Sequence, residues 1–415
     1  MPYRRLGKGL TDGLRENREL NPQNEAPCSE SRTPYCQAAH KDLSLRRLAE
    51  SGEAGMHNRS MPPSPEDGAS PLSLRRARAE DRAQWQEFVS RSCQGTLMQT
   101  WGWGELRRRY GWRVLRLIAE RPVGGPWEGA IQVLHRKLGP GGLGWGYAPR
   151  GPALPTIHHT SAARLLVAGA TSALRRERVL AVRLDPEWPI GSEEAAALRR
   201  QLRLRPARFD IQHRQTWILG LEKSADLTFS ALPGSTRRNV RIAQRAGVEV
   251  EQGTSQEAVG QFYQLQLQTV RRQRFQTRPL AYYQAALQEL GGSVFLARRA
   301  GEPLAAAVAI CCGPRLIYLY GGTSAAAPEA RASYAMHWAM IQWGIENGCT
   351  FYDMWGVPRH FDPANPAHGY ALFKTRWGGQ LSANSGLMLA PVLGPLDPLV
   401  HRLETWMLRR RPLLT

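Results

Sequence analysis

Beyond residue 71 the chain alternates between segments with helix-type apolar spacing and segments with strand-type spacing, and this alternation runs twice. The first run has helices near 79–92, 101–110, 160–175 and 192–203 and strands at 112–120, 129–136, 179–184 and 213–221. The second has helices near 235–246, 256–272, 280–290 and 332–347 and strands at 293–299, 304–312, 316–321 and 350–355. A chain of 415 residues is long enough for two cores, so the pattern predicts an α/β fold with two lobes.

The predicted boundaries follow from this alternation. We assign residues 72–222 to a first lobe, 223–375 to a second lobe and 376–415 to a closing segment. The closing segment should hold a strand at Gln380–Leu389 and a basic amphipathic helix at Leu396–Arg410. Residues 1–71 are rich in Pro, Ser, Gly and charge without an apolar period, which predicts a disordered extension or a misassigned start with Met56 or Met61 as alternatives.

The positive charge of the chain lies entirely outside that extension. Residues 1–74 contain ten basic and ten acidic side chains, so the formal net charge of +20 belongs to the rest of the chain. Such an excess favours a polyanionic partner, for which nucleic acid, a nucleotide diphosphate and phospholipid head groups are candidates. A bias toward arginine is the competing explanation, because Lys137, Lys223 and Lys374 are the lysines beyond residue 75.

Several classes of protein are disfavoured. No run of eighteen apolar residues occurs, and the first thirty residues lack a signal-peptide pattern, so we expect a cytoplasmic protein. The six cysteines contain no C-x-x-C pair, which predicts reduced, structural thiols. His158, His159 and His213 have no metal-ligand spacing, so we predict no metal.

Five short motifs follow one another along the chain. They are Gln99-Thr-Trp-Gly-Trp-Gly-Glu-Leu-Arg107, Tyr147-Ala-Pro-Arg-Gly-Pro152, Arg183-Leu-Asp-Pro186, Thr236-Arg-Arg-Asn-Val-Arg-Ile-Ala-Gln-Arg-Ala-Gly247, and Tyr352-Asp-Met-Trp-Gly356 followed by Phe373-Lys-Thr-Arg-Trp-Gly-Gly379. In that order they resemble the FemABX aminoacyltransferases. The resemblance spans about residues 75–395. It implies two GNAT-like lobes with mixed sheets flanked by helices, and closing strands that return to the first lobe.

The resemblance also implies an activity. Relatives transfer an amino acid, usually Gly, Ala or Ser, from aminoacyl-tRNA to the stem peptide of a peptidoglycan precursor, either lipid II or UDP-MurNAc-pentapeptide. The chain departs from many relatives by having Arg107 where they carry Lys, which keeps a cation for a phosphate. It also lacks the long heptad insertion of relatives with a coiled-coil arm. We expect a monomer, with peripheral contact to the inner membrane face, aided by Leu396–Arg410, as a further hypothesis.

Lys374 is the first candidate catalytic residue. An aminoacyl ester is already activated, so attack by an amine needs no metal or cofactor, only positioning, proton removal and stabilisation of an oxyanion. A lysine retained in an arginine-rich chain, between Phe373 and the Gly378-Gly379 turn, can supply compact positive charge to the oxyanion or to the tRNA 3′ end. We expect the aminoacylated end to enter beside Phe373. A solvated lysine next to a turn is the alternative.

The resemblance assigns further substrate contacts. Arg107 and Arg278 correspond to cations for the precursor's diphosphate, which two lobes would hold between them; a solvated helix face is the alternative for either. Tyr282 lies four residues after Arg278 and can face the same groove, and Tyr320 is the other implied contact. Either tyrosine could instead belong to the core. Asp185, at a strand end before Pro186, is a candidate general base or an ordinary turn residue.

A basic helix predicted at 235–246 carries Arg237, Arg238 and Arg241 at helical spacing. These could hold tRNA phosphates or could form a solvated face at the lobe junction. Two other functions remain open. An acyl-CoA N-acyltransferase would need a phosphate-cradling loop, which Gly321-Gly322-Thr323 matches poorly, and a non-catalytic RNA-binding protein would need RRM or KH signatures that are not seen.

Overall fold

The fold is that of a computed structural model, which describes residues 71–92, 96–137, 142–207, 209–273, 276–363, 368–392 and 402. The predicted extension 1–71, except Pro71, and the predicted helix Leu396–Arg410, except Arg402, lie outside the described residues. Within the described part, two mixed β-sheets are each covered by helices, as the alternation predicts. None of the described helices is long and apolar enough to cross a lipid bilayer.

The first lobe is built around the sheet with strand order β1-β2-β3-β4-β5-β14-β6. Its elements before the chain enters the second lobe are, in chain order, β1 (Ser73–Arg76), α1 (Arg82–Arg91), α2 (Trp101–Arg109), β2 (Arg113–Glu120), β3 (Trp127–Lys137), β4 (Gly144–Ala148), α3 (Thr160–Arg175), β5 (Val179–Leu184), α4 (Glu193–Gln201) and β6 (Arg205–Pro206).

The second lobe is built around the sheet with order β13-β7-β12-β11-β10-β9-β8. Its elements, with the last strand of the first sheet, are β7 (Gln215–Gly220), α5 (Ala225–Ala231), α6 (Gly234–Arg245), β8 (Val248–Gly253), α7 (Gln256–Gln273), α8 (Leu280–Leu290), β9 (Ser293–Arg299), β10 (Glu302–Cys312), β11 (Arg315–Thr323), α9 (Ala332–Glu346), β12 (Phe351–Val357), α10 (His368–Thr375), β13 (Gln380–Ala383) and β14 (Met388–Pro391).

Apolar spacing explains why these segments fold as they do. On α3 the buried residues include Ala163, Leu166, Ala170 and Leu174, which recur every three or four positions and pack against the first sheet. On β10 the run Leu304–Ile310 is buried throughout, because helices cover both faces of the second sheet.

Two strand assignments made from the sequence need correction. The segment 213–221 was assigned to the first lobe, but β7 pairs with β12 and β13 in the second sheet. The segment Gln380–Leu389 is not one strand, because β13 joins the second sheet and β14 pairs with β5 and β6 in the first. Gly386, with φ of +84°, lies in the turn between them. We propose that the lobes divide between β6 and β7.

Each sheet contains one central parallel pair, and the two pairs differ. In the first lobe β4 pairs with β5 up to the last residue of β4, where Ala148 lies opposite Leu184. In the second lobe β11 pairs with β12 only as far as Ile317 opposite Asp353, although both strands continue. We call the space beyond that last pair the β11–β12 gap.

Contacts across the lobe boundary are tight. Gly102 of α2 packs against α8 so closely that an added Cβ would lie 1.9 Å from the Glu289 carbonyl oxygen. On the same side, Arg109 forms an ion pair with Glu289 at 2.6 Å. The lobes therefore meet face to face, and side chains from both can line one cavity.

Candidate active site

A cavity of about 440 Å³ lies between the two lobes. The first lobe and the connection 207–214 contribute one wall, and the second lobe contributes the other. We call it the interlobe cavity, and its lining consists of Met98, Trp103, Arg107, Leu134, Tyr147, Ile211, Gln212, His213, Gln266, Gln276, Thr277, Arg278, Tyr282, Tyr283, Leu319, Tyr320 and Trp355. It is the natural place to look for a substrate site, since it is concave and carries convergent polar groups.

The first motif, Gln99–Arg107, orients α2 so that its last turn faces this cavity. Thr100 caps the helix by accepting a hydrogen bond from the Trp103 backbone at 3.3 Å. The buried Gln99 side chain donates to the Pro149 carbonyl at 2.7 Å and accepts from the Gln132 backbone at 2.8 Å, which ties the helix start to the sheet. Arg107, in the last turn of α2, consequently reaches the cavity.

Arg107 is half-buried and oriented by an aromatic ring. Its guanidinium carbon lies 5.4 Å from the centre of the Trp112 ring. Its buried Nε has no hydrogen-bond partner among the described residues. A donor held in place without a partner is suited to an anionic ligand.

Arg278 reaches the same cavity from the second lobe. It precedes α8, and its guanidinium carbon lies 5.6 Å from the centre of the Tyr282 ring. The two arginines predicted for a diphosphate thus line one cavity from opposite lobes. Tyr282 and Tyr320 are also in the lining, with their hydroxyl oxygens 3.4 Å apart.

A β-bulge explains how Tyr320 comes to face the cavity. Tyr318 lies opposite Ala309 and Tyr320 opposite Val308, so Leu319 is the extra residue on β11. The bulge breaks the alternation of the strand, and Leu319 and Tyr320 both line the interlobe cavity. Burial raises the pKa of Tyr320 well above that of a free tyrosine, so this hydroxyl stays protonated and can donate a hydrogen bond.

The Tyr352–Gly356 motif places a tryptophan at the end of the cavity. The Asp353 carboxylate accepts hydrogen bonds from the Trp355 backbone at 2.8 Å and from the Thr216 hydroxyl. These bonds hold β12 in a bend where Trp355 has φ of +66°, a left-handed conformation that is unusual for a residue with a side chain. The Trp355 ring lines the cavity.

Lys374 lies in the β11–β12 gap, directly behind that tryptophan. Its Nζ donates to the Gly356 carbonyl at 2.7 Å, lies 3.5 Å from the Trp355 carbonyl, and is 6.0 Å from the centre of the Tyr318 ring. Loss of hydration lowers the pKa of Lys374 to about 7, with Asp353 acting in the opposite direction. The ammonium is therefore buried, oriented and poised near neutral pH, although it is not itself in the cavity lining.

Phe373 packs away from the interlobe cavity. Its ring lies 5.1 Å from those of Tyr334 and His337 in the core of the second lobe. Burial lowers the pKa of His337 to about 3, so that core histidine is neutral. In this structure Phe373 supports the helix that carries Lys374, and its predicted contact with a tRNA end stays a prediction.

Asp185 is enclosed and fully engaged. One carboxylate oxygen accepts from the Tyr147 hydroxyl at 2.9 Å and the other from the Arg150 backbone at 2.7 Å. Burial raises the pKa of Asp185 to about 6 against the opposing effect of Arg150. Tyr147, not Asp185, lines the cavity, so this geometry favours a positioning role for the carboxylate over direct proton transfer.

A chain of buried charges joins Asp185 to the Lys374 region across the lobe boundary. Arg150 lies 3.9 Å from Glu187, which pairs with Arg315 of the second lobe at 2.7 Å. Arg315 in turn lies 3.4 Å from Asp353. Because each of these charges has an opposite partner, the chain fixes the relative placement of the two walls.

His213 is a cavity residue for which the sequence predicts no role, since it lacks metal-ligand spacing. Its ring packs against Gly356, and an added Cβ there would lie 2.2 Å from His213 Cδ2. Its carbonyl accepts from the Arg150 guanidinium at 2.8 Å. The sequence offers no spacing signal for it, since its neighbours come from three distant segments. Among the described residues, no three His, Cys, Asp or Glu side chains cluster as metal ligands.

The basic helix α6 runs beside the Lys374 segment, because the Thr236 hydroxyl donates to the Arg376 carbonyl. The predicted stripe of Arg237, Arg238 and Arg241 does not form as a single face. Arg237 turns toward the Ser230 carbonyl at 3.3 Å, whereas Arg238, Arg241 and Arg245 line one shallow surface. We call these last three residues the basic stripe.

The sequence is similar to those of two named transferases. The UDP-N-acetylmuramoylpentapeptide-lysine N(6)-alanyltransferase of Weissella viridescens is 27% identical over 301 residues, which cover 69% of this chain and 86% of that protein. The lipid II:glycine glycyltransferase of Staphylococcus aureus (strain MRSA252) is 22% identical, covering 76% of this chain and 93% of that protein.

The crystal structure of FemX has the same fold. It matches with a TM-score of 0.72 and 20% identity, covering 79% of this chain and 100% of FemX. A model of the GNAT acetyltransferase domain matches residues 234–363, within the second lobe, and confirms the GNAT-like fold expected from the sequence. The FemAB family model matches residues 81–297, more than half of the chain, and the protein therefore belongs to the FemAB family.

Proposed function

We propose that the protein transfers an amino acid from aminoacyl-tRNA to an amine on the stem peptide of a peptidoglycan precursor. The observation that carries this proposal is the interlobe cavity, where Arg107 and Arg278 converge next to the gap that holds Lys374. Two matched relatives are named for transfer of alanine or glycine to lipid II or to a UDP-linked pentapeptide. The family and the site thus support the same reaction.

The acceptor would bind through its diphosphate. Arg107 and Arg278 can each donate charge-assisted hydrogen bonds to phosphate oxygens. The hydroxyls of Tyr282 and Tyr320, 3.4 Å apart, belong to the same lining. A diphosphate bound there would direct the stem peptide along the cavity toward Trp355 and His213. The binding energy would come from groups remote from the reacting amine.

The donor would approach along the basic stripe. Arg238 and Arg241 are exposed on α6, and the Thr236–Arg376 hydrogen bond links that helix to the segment after Lys374. Phosphates of the acceptor stem could lie on the stripe while the 3′ end enters the β11–β12 gap. There the Lys374 ammonium could stabilise the oxyanion formed when the amine attacks the ester carbonyl.

Two alternatives fit less well. An acyl-CoA enzyme needs a glycine loop that leaves room for phosphates, but an added Cβ on Gly322 would lie 2.4 Å from the Gln266 backbone nitrogen. That glycine serves the packing of β11 against α7. A protein that only binds RNA would have no use for a buried lysine and an interlobe cavity beside its basic surface.

The reaction can be tested directly. Purified protein would be given radiolabelled Gly-, Ala- or Ser-tRNA with UDP-MurNAc-pentapeptide or with lipid II. Label transferred to one acceptor, and lost when the tRNA is first digested with RNase, would identify both substrates. No transfer to either acceptor, together with turnover of acetyl-CoA and an amine, would favour the acyl-CoA enzyme.

Contact with the inner face of the membrane is a separate hypothesis, carried by the basic sequence Leu396–Arg410 and relevant if the acceptor is lipid II. Removing residues 396–415 should then reduce binding to vesicles containing anionic phospholipid. Equal binding before and after the truncation would refute it.

A further inference from the structure

The cavity-lining residues differ in whether they can accept a proton at neutral pH. Burial raises the pKa of Tyr147, Tyr283 and Tyr320, so these phenols remain protonated. Arg107 and Arg278 are cations, and the other lining residues apart from His213 and Tyr282 carry no titratable side chain. Among the described residues of the lining, His213 supplies the one imidazole, which is the side chain whose ordinary pKa lies near neutral pH.

Contacts to its backbone carbonyl and to its ring fix the position of His213. Its carbonyl is held by Arg150, which itself has a left-handed φ of +55°, and its ring lies against Gly356. The Gly356 carbonyl is also the acceptor for Lys374 Nζ at 2.7 Å. The imidazole and the buried ammonium therefore both contact one residue of β12.

From these contacts we propose that His213 is the general base that takes the proton from the attacking amine. The proposal rests on the aminoacyl-transfer function proposed above. It adds a catalytic residue that the family motifs in this sequence do not include, and it gives the buried Asp185 a supporting role through Arg150.

The charges around His213 favour the neutral ring. Burial on the protein side, the Lys374 ammonium from α10 and the Arg150 guanidinium after β4 all lower the pKa of His213. On its own segment the neighbouring carboxylate, Asp210, is engaged by Arg214 at 2.6 Å and Arg359 at 3.1 Å. His213 is exposed as a whole and belongs to the cavity lining, so an amine in the cavity can reach its ring.

The proposed step balances in atoms and charge. The neutral amine attacks the ester carbonyl of the aminoacyl-tRNA, and a C–N bond forms. His213 accepts the proton from the nitrogen and becomes imidazolium. The ester C–O bond then breaks, the imidazolium gives its proton to the departing ribose oxygen, and the products are an amide and tRNA with a free hydroxyl. The imidazole ends the cycle neutral.

The test compares H213Q with the wild-type chain in the radiolabel transfer reaction over pH 5 to 9. General base catalysis contributes roughly 10² to 10⁴ in rate, so kcat should fall at least 100-fold while the KM for the acceptor changes less than about threefold. The wild-type kcat should decrease as the pH is lowered, with the midpoint of the decrease below pH 6.5, the ordinary histidine pKa. The kcat of H213Q should not show this decrease at acid pH.

A matched control and a rescue separate catalysis from packing. His159 is half-buried beside Glu128 at 3.4 Å and does not belong to the cavity lining, so H159Q should retain the wild-type pH profile. In H213A the space beside Gly356 should admit free imidazole, which should restore activity in proportion to its concentration. A purely structural His213 would show no such rescue.

The outcomes are distinct. If wild-type protein transfers label but H213Q keeps its kcat and its acid limb, His213 is not the base while the proposed function stands. If H213Q fails to fold, absence of imidazole rescue in folded H213A would overturn the proposal equally well. If wild-type protein transfers no amino acid from any tRNA, the proposed function fails first and this inference falls with it.

Discussion

The two lobes have sheets of similar design, but only one of them opens. In the first lobe the parallel pair β4–β5 stays paired to the end of β4, and Tyr147, Arg150 and Asp185 close its end with hydrogen bonds. In the second lobe β11 and β12 separate after Ile317 and Asp353, and Lys374 occupies the space. The parallel pair of the first lobe thus ends in a closed set of hydrogen bonds, whereas that of the second lobe ends around a buried ammonium.

The difference follows from local sequence. The second lobe has a bulge at Leu319 and a bend at Trp355, which draw the two strands apart and free the backbone carbonyls that hold Lys374. The first lobe uses its strand-end carboxylate, Asp185, to bind a backbone amide and a phenol instead. We therefore expect substitutions in the gap to affect catalysis and those in the first lobe to affect binding or stability.

The largest effect should come from removing Lys374. Loss of one donor to an oxyanion typically lowers kcat by roughly 10² to 10³, and K374A should show such a decrease with little change in acceptor KM. The exposed Lys223 of the same lobe provides the control, since K223A should behave as wild type. A K374A protein with normal kcat and weakened binding would refute the catalytic role of the gap.

The next largest effects should come from replacing Arg107 and Arg278, and the two variants should behave alike although the arginines belong to different lobes. R107A and R278A should each raise the acceptor KM roughly 10-fold, because each removes a charge-assisted contact with phosphate. Both should weaken the dependence of KM on salt. R108A, on the same helix as Arg107 but exposed, should change neither quantity. An effect confined to one arginine would place the diphosphate in a single lobe.

The pH dependence of kcat should respond differently to replacement of the two buried aspartates, Asp353 and Asp185. The Lys374 ammonium is present below its pKa of about 7 and is lost above it, so kcat should fall as the pH rises through 7. Asp353 raises the pKa of Lys374, so D353N should move this basic limb to lower pH. D185N, which alters the closed pair of the first lobe, should leave the basic limb in place.

The smallest effect should come from the basic stripe. R238A/R241A should raise the KM for aminoacyl-tRNA by about threefold at low salt, with the difference vanishing at high salt, since exposed charges are strongly screened. The pair R175A/R176A on the first lobe, equally exposed, is the control. If both double variants weaken tRNA binding to the same extent, net charge rather than the stripe attracts the donor.

Long periodic elements were predictable from the sequence. The bounds of α3 at Thr160–Arg175 and of α8 at Leu280–Leu290 agree with the apolar spacing, because each helix carries a continuous buried face. Short elements such as β1 and β6 were missed, since four and two residues carry too little pattern. The break between β13 and β14 was also missed, because alternation shows which face is buried and not which sheet a strand joins.

The candidate site was predicted in part. Motif resemblance supplied Arg107, Arg278, Tyr282 and Tyr320, which the fold gathers into one cavity. It could not supply His213, whose proposed role depends on contacts with Arg150 and Gly356 that are distant in sequence. Nor could it show that the Asp185 carboxylate is sealed by two donors, since satisfaction of hydrogen bonds is a property of the folded state.

The return of the chain to the first sheet has a consequence for biosynthesis. β14 lies between β5 and β6, yet it is translated about 180 residues after β6. During synthesis the first sheet therefore stays incomplete, because the position between β5 and β6 is filled only after the second lobe has been translated. Residues 215–383 include all seven strands of the second sheet, whereas the first sheet is complete only when β14 is added. A premature stop after Lys374 would remove β14 and would therefore damage the lobe that was synthesised first.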